Sequence, residues 1–329
     1  MSNRWVEPDL RDSVVDFVID KVELCTLPES FFVSRIGINQ SRFVDWKDRY
    51  GKENRHNGSI PRDHWIEEWE RNAIIEFYRT HEADGYRRCT YMMNDQDIAY
   101  VSPATTYRVL SHAGVLRKWS RVKSRKGTGF DQPIKPHEHW HIDIANIRIK
   151  GIHYFLICIL DGYSRYIVHW DLRESMKDSD VGIVQQAALE KFPGVHPRFI
   201  SDNGRQFTGR EFQKFISDHD LTHVTTSVNY PQSNGKLERF HKSIKSECIR
   251  KTYPSSLEEA KDTIEGYIDY YNRERLHSAI NYVTPEDRLN GKDREILLER
   301  DRKLEQRREE RKMKRVYENC IILTEGKVA

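Results

Sequence analysis

Before residue 115 the apolar positions recur at three- and four-residue intervals. From His139 they switch to every second residue. Val14, Val15, Phe17, Val18, Val22 and Leu24 predict an amphipathic helix over residues 9–24. After Pro28, the residues Phe31, Phe32 and Ile36 fit a short helix and Gly37 fits a turn. Ser41 then reads as the N-cap of a helix with Phe43, Val44 and Trp46 on its apolar face. Helix, glycine turn, helix is a helix-turn-helix pattern, though many helical hairpins read alike. A further helix runs from Trp65 to His81, a short one lies near Cys89–Asn94, and Ser102-Pro103 reads as N-cap and first turn of a helix ending at Gly114. This predicts a second helix-turn-helix, with Thr105, Thr106, Tyr107 and Arg108 as its outward face.

The second half alternates. HWHIDIANIRI, HYFLICILD and SRYIVHWDL predict a three-stranded antiparallel meander. A helix capped by Asp178 over 178–192, a buried strand in PRFISDNG, a helix over 207–219 and a strand in LTHVTTS follow, then helices over 235–250 and 257–273. That order predicts an α/β domain, a mixed sheet flanked by helices. The tail over 293–315 is highly charged, with few apolar positions such as Leu297, Leu304 and Met313, and reads as a solvated or oligomer-associated helix. The boundaries expected are 1–55 for the first helix-turn-helix, 56–127 for the second with a basic linker, 128–290 for the α/β domain and 291–329 for the charged helical tail.

Charge sharpens this picture. The formal net charge is only +3, yet six of the ten residues from Arg117 to Lys126 are basic: Arg117, Lys118, Arg121, Lys123, Arg125 and Lys126. Residues 236–251 hold six basic side chains against two acidic ones. Patches of this kind on a near-neutral chain point to a polyanion partner. No apolar run is long enough for a membrane span, and the N-terminus carries no signal pattern, so a cytoplasmic, nucleoid-associated protein without membrane contact is expected. The five scattered cysteines lack CxxC spacing, which argues against a disulfide scaffold or a cysteine zinc site. No GxxxxGK[ST] loop and no Ser, Tyr or Cys nucleophile constellation occurs, which disfavours P-loop energy coupling and covalent recombination.

Three carboxylates carry the candidate chemistry. Asp143 lies mid-strand between Ile142 and Ile144, where an unpartnered carboxylate is costly. Asp202 follows the apolar Phe199-Ile200 at a strand end, and Glu238 opens a helix, with 35 residues between the two. Each alone could be an ordinary ion-paired, turn or helix-surface residue. Converging, they are hard oxygen donors suited to Mg²⁺ or Mn²⁺, and two ions could clamp an in-line phosphoryl transfer. Lys242 and Lys245 fall four and seven residues after Glu238, on its helical face, where a DNA backbone could pass. Lys236 and Arg239 flank Glu238, and with Arg108 and Thr106 of the second helical motif they complete the candidate DNA contacts. The alternating His137, His139 and His141 read as surface or supporting groups. Asp161 reads as a turn residue, and Tyr271, Asn272, Arg275 and His277 as a cluster organising a helix end.

The segments WHIDIA (140–145), SDNGRQF (201–207), YPQSNGKLERFHKSIK (230–245) and YYNRERLHSAINYVTPEDRL (270–289) resemble the integrase-type catalytic core of bacterial insertion-sequence transposases. That family carries an Asp, Asp, Glu triad with 35 residues between the last two and a basic residue seven positions on. Asp143, Asp202, Glu238 and Lys245 match it. VSRIGINQSRFVDW and GYRRCT…VSPATTYRVLSHAGV resemble its N-terminal helix-turn-helix segments, so the likeness covers roughly residues 28 to 290. It implies an RNase H-like core with a mixed five-stranded sheet behind all-α helix-turn-helix domains. It also implies Mg²⁺ dependence, and cleavage of element ends followed by 3′-hydroxyl strand transfer into target DNA. A homodimer or higher oligomer on double-stranded DNA is expected, with an upstream-frame helix-turn-helix partner where this chain is the second-frame product. The alternative is a catalytically silent, transposase-derived DNA-binding regulator.

Overall fold

A computed structural model describes residues 6–52, 65–116, 132–225 and 235–325. The basic run 117–126 lies outside them. The chain divides into two compact units, one from residues 1–65 with 311–329 and the other from residues 66–310.

In the first unit, α1 (Pro8–Leu24), α2 (Glu29–Ile36) and α3 (Gln40–Asp48) pack around Val15, Val18, Val33, Phe43 and Trp46. Gly37 ends α2 at φ 79°, the left-handed position glycine fills without strain. The cap of α3 is Asn39, not Ser41. The Asn39 side chain accepts from the Arg42 N–H, and the Ser41 hydroxyl donates to Asn39. Either residue type can cap, and the tight turn after Gly37 starts the helix earlier.

The second unit opens with α4 (Glu68–Thr80), α5 (Gly85–Asp95) and α6 (Pro103–His112), which bury Ile74, Phe77, Cys89, Met93, Val109 and Leu110. Ser102 caps α6 and Pro103 occupies its first turn, as the sequence predicts. The sheet follows: β1 (His139–Ile149), β2 (Ile152–Asp161), β3 (Ile167–Arg173), β4 (Arg198–Ser201) and β5 (Thr222–Thr225), in the order β3-β2-β1-β4-β5. The first three strands are antiparallel, and β4 and β5 run parallel to β1.

Alternation along β1 sorts its two faces. Trp140 and Ile142 pack with Phe199, Phe207, Phe212 and α7 (Asp178–Lys191), near α8 (Arg205–Thr208) and α9 (Arg210–Asp218). Ala145, Ile147 and Ile149 pack against α10 (Gly235–Ile244) and α12 (Leu257–Arg273), including Phe240, Ile244, Ile264 and Tyr267. The result is a three-layer sandwich. Lys177, rather than Asp178, occupies the cap position of α7, its N–H donating to Asp180. Gly209 divides the helix predicted over 207–219 into α8 and α9.

The helix predicted over 235–250 is also interrupted. After Ile244 a π turn (Lys245–Ile249) precedes α11 (Arg250–Thr252). Its i→i+5 spacing lets Ile249 join Ile244 and Cys248 in the core, which continuous 3.6-residue winding would not. Glu247 within it is gripped by Arg275 at 2.6 and 2.8 Å and by the Tyr267 hydroxyl at 2.9 Å. Asn272 pins α12 to the sheet, accepting from Ile167 N–H at 2.9 Å and donating to its carbonyl.

After α13 (Pro285–Leu289), α14 (Asp293–Glu325) is not simply solvated. Arg300 forks onto Asp95 at 2.6 and 2.7 Å and lies over the Tyr91 ring, Lys303 pairs with Asp97, and Arg307 reaches Glu67 and buried Glu70 at 3.1 Å. Polar composition predicts exposure, but these cations meet acids on α4 and α5 that only the fold brings to them. Among the described residues no helix is long and apolar enough to cross a membrane.

Candidate active site

Register sets the site. β1 and β4 pair in parallel with His141 opposite Ile200. Two residues further along each chain stand Asp143, within β1, and Asp202, the first residue beyond β4, so continuing the register brings the two toward each other at the spacing of neighbouring strands, about 4.8 Å. Asp143 pairs with Cys158, which belongs to the apolar layer under α10 and α12, so Asp143 points to that face. Alternation from Phe199, which packs on the opposite layer, puts Asp202 on the α10 face too.

α10 closes over this edge. Its His241 Nδ1 lies 3.4 Å from Asp143 Oδ2, and Glu238 is one turn earlier on the same helix. Asp143 Oδ1 accepts the Ile144 N–H, and Asp202 Oδ1 accepts the Gly204 N–H at 2.9 Å. A relay steadies the Asp202 backbone. Gln213 donates to His223 Nδ1, His223 Nε2 is 2.9 Å from the Ser201 hydroxyl, and Ser201 donates to the Asp202 carbonyl. Burial lowers the His223 pKa, which favours the neutral ring this relay needs.

Asp202 and Glu238 are exposed, and Glu238 makes no hydrogen bond or ion pair among the described residues. Among the described residues no three His, Cys, Asp or Glu side chains stand close enough together to hold a metal ion. The donor chemistry nonetheless fits a hard divalent cation: three carboxylates, with Asp143 half-buried and Asp202 and Glu238 exposed.

The candidate DNA contacts divide. Lys242 and Arg239 are exposed on α10, and Lys245 is half-buried where the π turn begins. Lys236 turns inward. Its Nζ donates to the Gly162 carbonyl at 3.0 Å, and burial, then the charge of Arg165, push the amine down to about 7, with Asp161 opposing. Arg108 is exposed and folds back on Ala104 and Thr105. Thr106 is not on an outer face: it is fully buried, its hydroxyl 2.8 Å from that of Thr90, because α6 packs that side on α5. The exposed side of α6 instead carries Ala104, Tyr107, Arg108 and Ser111.

His139 and His141 are buried rather than surface residues, because odd-numbered positions of β1 lie under α10. Asp161 is the last residue of β2 rather than a turn residue, and its carboxylate anchors the turn that follows by accepting from His137 N–H and from the N–H and hydroxyl of Ser164. Sequence reading passed over His241, His223 and Arg165. His241 was legible in principle, three residues after Glu238 on one helical face. The other two depend on contacts between distant segments.

A mixed sheet of this order, with helices on both faces, is the RNase H-like fold. Two integrase core domain families match the chain, over residues 133–231 and 219–285. The insertion element IS136 uncharacterized protein of Agrobacterium tumefaciens (strain T37) is 30% identical over 191 residues, spanning 55% of this chain and 98% of that protein. The transposase for insertion sequence element IS904 of Lactococcus lactis subsp. lactis (strain IL1403) is 28% identical over 192 residues, 53% of this chain and 75% of that one. The HTLV-2 integrase catalytic core domain in complex with magnesium (dimeric form) aligns with a TM-score of 0.38 at 18% identity, over 46% of this chain and 96% of that one. The chain belongs to the insertion-sequence transposases that carry an integrase core domain.

Proposed function

We propose that this transposase cuts the ends of its element and joins the freed 3′-hydroxyls to target DNA in two metal-dependent steps at Asp143, Asp202 and Glu238, a hydrolysis and then a transesterification. The observation that carries the reading is the shared face: Asp143 in β1 and Asp202 just beyond the parallel strand β4, on the side where the helix that bears Glu238 packs and its His241 touches Asp143. The comparisons support it at the level of family.

Asp143 is fixed within β1, and Asp202 stands just beyond β4 with its carbonyl held by the Ser201 hydroxyl. Glu238, on an exposed helical position, completes the donor set from the other side. Divalent magnesium or manganese, when bound by these carboxylates, supplies charge neutralisation at the phosphate and lowers the pKa of the attacking water or hydroxyl. Arg239, Lys242 and Lys245 lie along α10 and its continuation, where they meet the DNA backbone on its way past the carboxylates. In the first step water forms a new P–O bond and the element's 3′-oxygen leaves. In the second that 3′-hydroxyl attacks a target phosphodiester and a target 3′-oxygen leaves, with no bond to the protein. Bringing two ends together calls for at least a dimer on DNA, and the N-terminal helices together with the basic segment 117–126 supply end binding.

Asp202→Asn keeps the shape of the site and removes one charge. It is expected to abolish Mg²⁺-dependent cleavage of the DNA flanking the gene while leaving binding of that DNA intact. Gel analysis of cleavage and strand transfer checks this, and retained cleavage would overturn the assignment.

A further inference from the structure

Beside the carboxylates lies a second group of charges. The turn joining β2 and β3 carries Arg165 at φ 69°, a left-handed backbone normally left to glycine or asparagine. Its N–H closes the turn onto the Asp161 carbonyl at 2.9 Å. The guanidinium points inward, and its Nε and Nη1 are buried without a hydrogen-bond partner among the described residues. No carboxylate lies within ion-pair reach of it among the described residues, and Asp161, the nearest acid, is engaged by three donors of its own. Lys236 of α10 docks on the same turn through the Gly162 carbonyl, and Arg239, one helical turn on, adds a third positive charge felt by Arg165. Beneath them His141 is completely buried with neither ring nitrogen hydrogen-bonded, packed so tightly under the turn that a Cβ on Gly162 would sit 2.9 Å from its Nε2.

A strained backbone holding a buried guanidinium with two unpartnered nitrogens is costly in the free protein, and such a cost persists where a ligand repays it. We infer that Arg165, Lys236 and Arg239 form the seat of a single DNA phosphate, immediately beside Glu238. The inference rests on the reading of this chain as acting on DNA, and it adds a positioning site that the helix-face lysines do not provide. A guanidinium with two free N–H groups matches the oxygens of a phosphodiester, and the ammonium and second guanidinium supply the remaining charge.

The test is the salt dependence of binding by the full chain to a short DNA duplex, followed by fluorescence anisotropy. Each phosphate contact contributes about one unit to the slope of log K against log salt. Arg165→Met, which keeps the bulk and removes the charge, should flatten the slope by about one unit while the melting temperature of the free protein stays level or rises, because an unpaired buried charge is gone. Exposed Arg239→Gln should flatten it likewise, and it covers the case in which Arg165→Met fails to fold. An unchanged slope in Arg239→Gln and in folded Arg165→Met overturns the proposal, and so does a lower melting temperature with an unchanged slope, which marks a purely structural arginine. A free-anion site would show inorganic phosphate raising the melting temperature with the DNA slope unchanged, and it too overturns the proposal. Asp202→Asn separates this from the catalytic reading, since it should keep the full slope. A flattened slope in Arg165→Met alongside a wild-type chain that cuts no DNA leaves the seat standing and removes the catalysis.

Discussion

Arg275 shows how a single side chain can decide the course of a helix. Its guanidinium is nearly buried against Glu247 inside the π turn. Burial pushes the Glu247 carboxyl up, but the Arg275 fork and the Tyr267 hydroxyl more than reverse this, and its pKa falls below the usual glutamate value. A carboxyl held low in the fold adds stability that is present above its unfolded pKa and is lost as pH falls through the folded one. Arg275→Ala is therefore expected to cost about 2 kcal/mol at neutral pH, less than a fully buried pair because Glu247 keeps some solvent contact. The variant should also lose part of the acid sensitivity seen below about pH 4.5. Urea unfolding of both proteins from pH 7 to pH 3 measures this, and parallel pH curves would show that the pair is not linked to folding. The sequence showed Tyr271, Asn272, Arg275 and His277 as a polar cluster at a helix end, and Asn272 does bond both backbone groups of Ile167. Glu247, 28 residues upstream, was not legible as its partner.

At the scale of elements, the β2–β3 turn is the least forgiving part of the site. Gly162 has an ordinary backbone there but no room for a side chain, with the His141 ring at 2.9 Å and the His139 carbonyl at 3.2 Å from where a Cβ would stand. Gly162→Ala should destabilise by about 1–3 kcal/mol through overpacking. Pairing it with His141→Ala should restore part of the loss. Equal denaturation midpoints for the single and double variants would mean that the ring does not set the limit. The strands were legible because alternation is a local signal: the meander, the short strand at 198–201 and the helices over 178–191 and 257–273 all lie where the apolar period puts them. The breaks at Gly209 and Lys245 were not, since each answers to packing against another element.

For the unit of residues 66–310, the first half of α14 acts as a strap. Arg300, Lys303 and Arg307 sit at three- and four-residue spacing and meet Asp95, Asp97, Glu67 and Glu70 on α4, α5 and their flanks. Glu70 is completely buried, so removing Arg307 takes away a charge that compensates it. Arg307→Ala is expected to cost about 1–3 kcal/mol and to speed amide exchange in α4. Unaltered protection of α4 would show that Glu70 is satisfied without the strap. Arg308→Ala, which removes an exposed ion pair with Glu305 within α14 itself, serves as the control.

By itself the sequence determined most of the elements, the class of a mixed sheet flanked by helices and which three carboxylates are the candidates, because period and motif spacing are written along the chain. The 35-residue interval could be counted, but the shared face of Asp143 and Asp202 comes from the parallel register of β1 and β4, and the placing of α10, which bears Glu238, comes from packing that brings its His241 to Asp143. The burial of Thr106, the inward turn of Lys236 and the two unpartnered nitrogens of Arg165 were likewise decided only in three dimensions. Whether a polar side chain is partnered depends on what other segments bring within about 3 Å of it, and no local pattern encodes that.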